Sequence, residues 1–436
     1  MSILSKEQAQ AILKKALAFS KADECTVSIA GTEEGNIRYA RNAVSTAGDS
    51  STLSLAVTSA FGKRTGTTTI NEFDDASLEK VIRRSEELAK VSPENPEYMP
   101  LLGPQTYIEP VTYNATTAAI TPDKRAAEVA KSLQVAKDAK LEAAGYLENS
   151  TGFNATLNSK GLFGYNRNTD VSFSVTLRNQ QGTGSGYVSK SYNDSSKLNT
   201  LALTKIAASK ANASAGAKAI EPGKYTVILE PMAVSDLLST MSNDARSADE
   251  GRSYLSKKGG GTRVGEKLFD ERVTIYSDPL HPDLPFSTFA GDGRPQKKTT
   301  WIDKGVVKQL SYSRYWAQQK GVEAVPGANR IIMAGGNSSI QDMIKNTDKG
   351  ILVTRFWYIR FVDPQTLLLT GLTRDGTFYI ENGKIQFPIK NFRFNESPVI
   401  MLNNIEEMGK PERTENMIVP PLKVRDFTFT SLSDAV

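Results

Sequence analysis

Four stretches between residues 24 and 71 either alternate apolar with polar residues or are rich in β-branched ones: ECTVSIAGT, GNIRYARN, STLSLAVTSAF and KRTGTTTI. A period of two puts one face of each stretch in a core and the other toward solvent, as β-strands require. The glycine-containing segments between them read as turns. A helical pattern stands on either side. Residues 5–21 predict an amphipathic helix opened by a capping box, Ser5 to Gln8. Residues 75–91 place Leu78, Val81, Ile82 and Leu88 on one stripe, with Pro93 just beyond. Helix, four strands, helix predicts one α/β unit.

The same order recurs further on. A helix over 121–139 starts at Thr121 with Pro122 in its first position. Strands are predicted at about 142–149, 153–160, 171–180 and 183–192, and a helix at 195–214. No residue-level repeat accompanies the recurrence. PENPEYMPLLGPQTYIEP (93–110) carries five prolines and reads as a linker. From Lys224 onward strand and turn dominate. WIDKGVVKQL (301–310) predicts a hairpin turning at Asp303-Lys304-Gly305, and FYIENGKIQFPI (378–389) one turning at Asn382-Gly383. MIVPPLKVRDFTFT predicts a closing strand. The expected class is α+β: N-terminal α/β units followed by a β-rich C-terminal domain. The expected boundaries are 1–110 (with its linker), 111–222 and 223–436.

Composition removes several functions. The 53 basic and 48 acidic residues are too balanced for an electrostatic nucleic-acid binder. No apolar run approaches the ~18–20 residues that span a membrane. Lys, Gln and Glu7 interrupt the N-terminal segment, so no signal peptide is read there and a cytoplasmic location is expected. A single cysteine, Cys25, rules out a disulfide framework within one chain. A single histidine, His281, is too few for a His-based zinc site, and most triads need one correctly placed.

Residues 225–250 read YTVILEPMAVSDLLSTMSNDARSADE. A strand meets Pro231 and a helix follows, with Val234, Leu237, Leu238, Met241, Ala245 and Ala248 on one apolar stripe. Ser235, Asp236, Ser239, Thr240, Asn243, Asp244 and Arg246 form its polar face. Asn243, Asp244 and Asp249 are oxygen donors suited to a hard cation, but they lack EF-hand spacing. His281 lies between Asp278 and Asp283 and reads as a metal ligand, a base or a polar surface residue. KKGGGTRVGE (257–266) has three glycines and no G-K-[ST], so it predicts a mobile surface loop rather than a phosphate site. Arg374, Asp375 and Thr377 line a site or an interface, or else mark an Asp-Gly turn with a salt bridge.

GKYTVILEP before a helix, GTRVGE, WIDKGVVKQL followed by SYSRYWAQQKG, GTFYIENGKI and, near the start, FGKRTGTTTIN together resemble the TldD/PmbA family. The resemblance runs from about residue 20 to the end. It implies an N-terminal α/β region, a β-rich C-terminal domain, and dimers that enclose a cavity. It also implies a role in proteolysis, because TldD-type and TldE-type (PmbA) members form a heterodimeric zinc metallopeptidase for unfolded or peptide-like substrates. An older description is modulator of DNA gyrase. In the TldD type a helix at this position carries H-E-x-x-x-H, a further Cys or His completes the site, and the Glu would activate a zinc-bound water. Here one register sets the motif near Met241, Ser242 and Arg246, and a three-residue shift sets it at Ser239, Thr240 and Asp244. Both histidines and the glutamate are absent in either. The resemblance therefore implies a TldE/PmbA-like chain without catalytic or metal-binding residues, with zinc only in a TldD-type partner. It implies a dimer with that partner or with itself, and a peptide or unfolded protein as substrate; the balanced charge and the lack of a long apolar run add the expectation of no direct nucleic-acid or membrane contact. Arg263, Glu266, Arg374, Asp375 and Thr377 are its candidate cavity or interface residues. Two alternatives stand beside it. One is a peptidase of its own built on carboxylates from Asp244, Asp249, Asp283 or Asp292, and the other a DNA-gyrase-modulating interaction protein.

Overall fold

In the computed structural model, which describes residues 2–327 and 330–433, the N-terminal alternation becomes three long strands instead of the four expected. α1 (Lys6–Ala18) begins at the Ser5–Gln8 capping box. β1 (Glu24–Ala40), β2 (Ala43–Phe61), β3 (Arg64–Ile70) and α2 (Asp75–Val91) follow. ECTVSIAGT and GNIRYARN are one strand, because their glycines serve close approach rather than turning. A Cβ on Gly31 would lie 1.9 Å from the Ser2 carbonyl oxygen, and one on Gly35 2.0 Å from Arg125 Nη1. The chain turns instead at Arg41-Asn42, with φ of 51° and 59°, the left-handed pair that a two-residue hairpin loop favours.

The second unit repeats the plan: α3 (Ala115–Ala118), α4 (Pro122–Asp138), β4 (Glu142–Asn158), β5 (Phe163–Arg178), β6 (Ser185–Tyr192) and α5 (Thr200–Ala213). The stretches expected at 142–149 and 153–160 are again one strand, with Gly152 in register between Thr32 and Asn168. The helix expected from 195 starts at Thr200, where Asn199 accepts the Ala202 N–H, after a short 3-10 turn. β1 pairs antiparallel with β4 from Thr26–Asn158 to Tyr39–Gly145, so both units share one six-stranded sheet, β3-β2-β1-β4-β5-β6. Val27, Ile29, Ile37 and Tyr39 are all odd-numbered and so lie on one face of β1. Leu13, Leu78 and Ile82 of α1 and α2 complete the core over one end of that face. Val129, Ala136, Ala207 and Ala211 of α4 and α5 complete it over the other.

The C-terminal part runs β7 (Lys224–Leu229), α6 (Pro231–Leu238), α7 (Ala245–Asp249), β8 (Ile275–Ser277), β9 (Thr299–Asp303), β10 (Val306–Val307), α8 (Arg314–Lys320), β11 (Ile331–Met333), α9 (Ile340–Lys345), β12 (Lys349–Asp363), β13 (Leu368–Glu381), β14 (Lys384–Pro388), β15 (Phe392–Glu396), α10 (Pro398–Asn403), β16 (Ile405–Met408), β17 (Glu412–Arg413), β18 (Met417–Val419) and β19 (Leu422–Leu432). β12, β7, β19, β15 and β13 pair in that order, and β13 pairs back onto β12. The sheet thus closes into a five-stranded barrel, which leaves those strands no free edge. β14 extends it from β13. Val227, Leu229, Val353, Phe394 and Phe427 are among its fully buried residues. A second sheet, β10-β9-β8-β11-β18-β17, stands beside it. Both expected hairpin turns are present, with φ of 48° and 78° at Lys304-Gly305 and 50° and 73° at Asn382-Gly383. The expected closing strand is two strands in different sheets. Pro420 and Pro421 cannot donate to a ladder and so separate β18 from β19. No helix among the described residues is long and apolar enough to cross a membrane.

Candidate functional site

β7 delivers the chain to Pro231, and Val234, Leu237, Leu238, Ala245 and Ala248 are buried as the stripe requires. The single helix expected there is instead two, α6 and α7, separated by residues 239–244. Short polar side chains explain the break. Ser239 Oγ donates to the Asp236 carbonyl (2.8 Å) and Thr240 Oγ1 to that of Leu237 (2.7 Å), closing the end of α6. Asp244 accepts the Ser247 N–H (2.8 Å) and so caps α7. Between them the Asn243 carbonyl accepts the Ser311 N–H (2.9 Å), and Ala245 N–H donates to the Ser311 carbonyl (3.0 Å). Ser242 Oγ accepts the Asp244 N–H (3.3 Å), and Met241 packs against the core. Arg246 pairs with Glu250 (3.0 Å) and with Glu97 of the linker (2.9 Å). Each residue at the motif position thus has a local structural partner.

The other candidates disperse. Asp249 accepts the Trp316 Nε1–H (2.8 Å). Asp283 pairs with Lys197 (2.6 Å), whose hydrogen bond holds its carboxyl below the usual range. Asp292 pairs with Arg294 (2.8 Å). His281 Nδ1 accepts the Asp283 N–H (3.2 Å) in a surface turn. Cys25 is buried in the core of the N-terminal sheet. Among the described residues, no three His, Cys, Asp or Glu side chains gather as metal ligands. The α6–α7 position therefore offers hydroxyls and a capping carboxylate, a set that does not fit zinc. The glycine loop is closed rather than open. Lys257 N–H donates to the Gly261 carbonyl (2.9 Å), and Gly259, Gly260 and Gly261 have φ of 95°, 108° and 84°. Arg263 Nε donates to the Ser256 carbonyl (3.0 Å) and Glu266 pairs with Lys257 (3.1 Å), so both brace the loop.

Arg374, Asp375 and Thr377 lie inside β13 rather than at a turn, and Asp375 (φ 56°) with Gly376 (φ 122°) kinks the strand. Asp375 is 2% exposed; it accepts from Arg355 Nε (2.7 Å) and from Ser185 Oγ of β6 (2.6 Å). The Arg355 guanidinium stacks on the Tyr187 ring at 3.8 Å. Arg374 stacks on Trp357 at 4.0 Å, and Thr377 Oγ1 donates to Asn391 Oδ1 (3.1 Å). Close by, Ser189 Oγ donates to Glu415 and Ser235 Oγ meets Thr414 Oγ1 at 3.2 Å. Asp236 accepts the Phe356 N–H (2.8 Å), and burial pushes its carboxyl up to about 7. A polar joint thus fastens the central unit to the barrel.

Beside this joint opens a cleft of about 630 Å³ that no sequence reading pointed to. α5 and β6 wall one side, and α9 with the outer face of β12, β13 and β14 forms the other. Leu352 and Phe378 lie in its floor, and Ile206 and Ile385 stand on its rim at 47% and 44% exposure. Lys190 and the Lys210–Glu230 pair (2.5 Å) add charge. A trace was legible in α5, whose Thr204, Ala207, Ala208 and Ala211 face the sheet while Leu203 and Ile206 form a second apolar stripe.

Comparison with known proteins covers all three parts. Residues 25–89 match the model for PmbA/TldA metallopeptidase domain 1, residues 116–215 the central domain, and residues 222–431 the C-terminal domain. An uncharacterized protein of Methanocaldococcus jannaschii is 28% identical over 286 residues, 61% of this chain and 65% of that one. Metalloprotease PmbA of Escherichia coli O157:H7 is 24% identical over 173 residues, 37% of each chain. The chain thus spans less than two thirds of the length of these relatives. The crystal structure of TldE from Thermococcus kodakarensis superposes with a TM-score of 0.87 at 19% identity, covering 98% of this chain and all of that one, a likeness of fold.

Proposed function

The chain belongs to the PmbA/TldD metallopeptidase family, and on that premise we propose that it is a TldE/PmbA-like subunit without zinc or catalytic residues of its own. It works in the cytoplasm with a TldD-type partner that supplies the zinc, in the proteolysis of unfolded or peptide substrates. One observation carries this reading. Where the resemblance sets H-E-x-x-x-H, the chain breaks its helix, and Ser239, Thr240 and Asp244 close the helix ends instead. Hydroxyls used to close one helix end and a carboxylate used to cap the next supply neither the two imidazole ligands nor the glutamate base of H-E-x-x-x-H. The subunit's task is then to hold substrate. An extended peptide suits a β-rich wall, since its backbone can pair with strand edges irrespective of sequence.

Gel filtration and a peptidase assay test this together. The chain mixed with a TldD-type protein bearing H-E-x-x-x-H is expected to co-elute with it and to raise its hydrolysis of an unfolded peptide. Separate elution with unchanged hydrolysis would contradict the reading.

A further inference from the structure

The cleft between α5 and the β12–β14 face contains a cation that the chain leaves without an ion pair. Of its two lysines, Lys210 pairs with Glu230 at 2.5 Å. Lys190 makes no ion pair among the described residues, and its Nζ donates one hydrogen bond, to the Arg413 carbonyl. An ammonium has three donors, so two remain. The carboxylate that acts on it most, Glu412, is an exposed residue. Burial lowers the Lys190 pKa from its ordinary value, the mark of a charge held out of water without full compensation. The amine stands at a charged end of the cleft, with Glu412 and the Lys210–Glu230 pair also in the lining, while the floor is apolar, Leu352 and Phe378, with Ile206 and Ile385 at the rim. Its volume is that of a ligand pocket rather than a packing defect.

We propose that this cleft holds the C-terminal end of a peptide, with apolar side chains on Leu352 and Phe378 and the terminal carboxylate on the Lys190 amine. The inference rests on the peptide-holding reading above and deepens it. The unpaired Lys190 amine, not the balanced charge of the whole cleft, selects an acid, and the apolar floor selects its neighbours. The terminal carboxylate is the one acidic group that every peptide carries, so a site that accepts varied chains uses it rather than an internal Asp or Glu.

Fluorescence anisotropy of the whole chain with three dye-labelled peptides tests this. The first is Ala-Leu-Ala-Phe-Leu as the free acid, the second its C-terminal amide, and the third the amide with Glu in place of the central Ala. The free acid is expected to bind about tenfold tighter than the plain amide, the gain of one charge-assisted contact. Lys190→Gln is expected to erase that difference while leaving the amide's affinity unchanged. Ile206→Asp, at an exposed position that folding tolerates, is expected to weaken acid and amide alike. Equal binding of acid and amide overturns the proposal, as does a Glu-containing amide that matches the acid. Tight peptide binding indifferent to both variants overturns the cleft but leaves the peptide-holding reading standing. Failure of every peptide to bind overturns both.

Discussion

Two arginine–aspartate pairs sit at the two joints of this molecule, and they are built in opposite ways. At the joint of the N-terminal and central units, the Arg125 side chain is 4% exposed and its partner Asp49 60%. At the joint of the central unit and the barrel, the Asp375 side chain is 1% exposed and its partner Arg355 18%. The first pair lies against a continuous β1–β4 ladder, which would hold the units together without it. The second lies where no strand ladder joins the N-terminal sheet to the barrel, and side chains from β6, β12 and β13 make the connection. The lesson is one of division. Backbone hydrogen bonds make the first joint rigid, while the second is a polar seam with a cleft beside it.

Breaking the seam is expected to have the largest effect. Asp375→Ala leaves the Arg355 guanidinium without its carboxylate and Ser185 without its acceptor, at a cost of about 3–5 kcal/mol. Urea unfolding read by tryptophan fluorescence checks this, and a change under 1 kcal/mol would make the seam incidental. The first joint is better broken by volume. Gly35→Ala forces a Cβ into the Arg125 guanidinium and is expected to cost about 1–3 kcal/mol, whereas Gly48→Ala, with nothing within 4 Å, is expected to be near neutral. Equal melting temperatures for the two variants would remove the close approach from the account.

The seam should also respond to pH. The folded carboxyl of Asp236 titrates near 7, above its ordinary value of 3.8. The stability tied to its protonated form is therefore present in acid and lost as pH rises through about 7. Asp236→Asn cannot ionise, yet its amide oxygen can still accept the Phe356 N–H. It is expected to match the parent near pH 4 and to exceed it by about 1–2 kcal/mol at pH 8, read from urea midpoints. A parent more stable at pH 8 than the variant would reverse the sign. Asp49→Ala is expected to cost less than Asp375→Ala, about 1–3 kcal/mol, because the lost carboxylate is mostly in water and the buried Arg125 guanidinium keeps Asn149 Oδ1.

Much of the fold was legible because its signals are local. The Ser5–Gln8 box, the Asn382-Gly383 turn and the alternation of β2 each depend on residues a few positions apart. Gly31 and Gly35 were misread as turn glycines, since a glycine that turns the chain and one that admits a neighbour look alike in sequence. The neighbour of Gly35, Arg125, is 90 residues away. The α6–α7 break was missed for a similar reason. Ser239, Thr240 and Asp244 can sit on a helix or cap one, and Ser311, far along the chain, supplies the competing backbone partner. The missing histidines were readable directly. The cleft was not, because α5, α9 and three strands reach it from separate parts of the chain.

The central claim is that the α6–α7 position supports a partner's chemistry and performs none. Metal analysis of the chain, purified alone from zinc-supplemented cells and assayed on an unfolded peptide, tests it most directly. The account predicts zinc far below one ion per chain and no hydrolysis. One tightly held zinc per chain, with hydrolysis that a chelator abolishes, would contradict it.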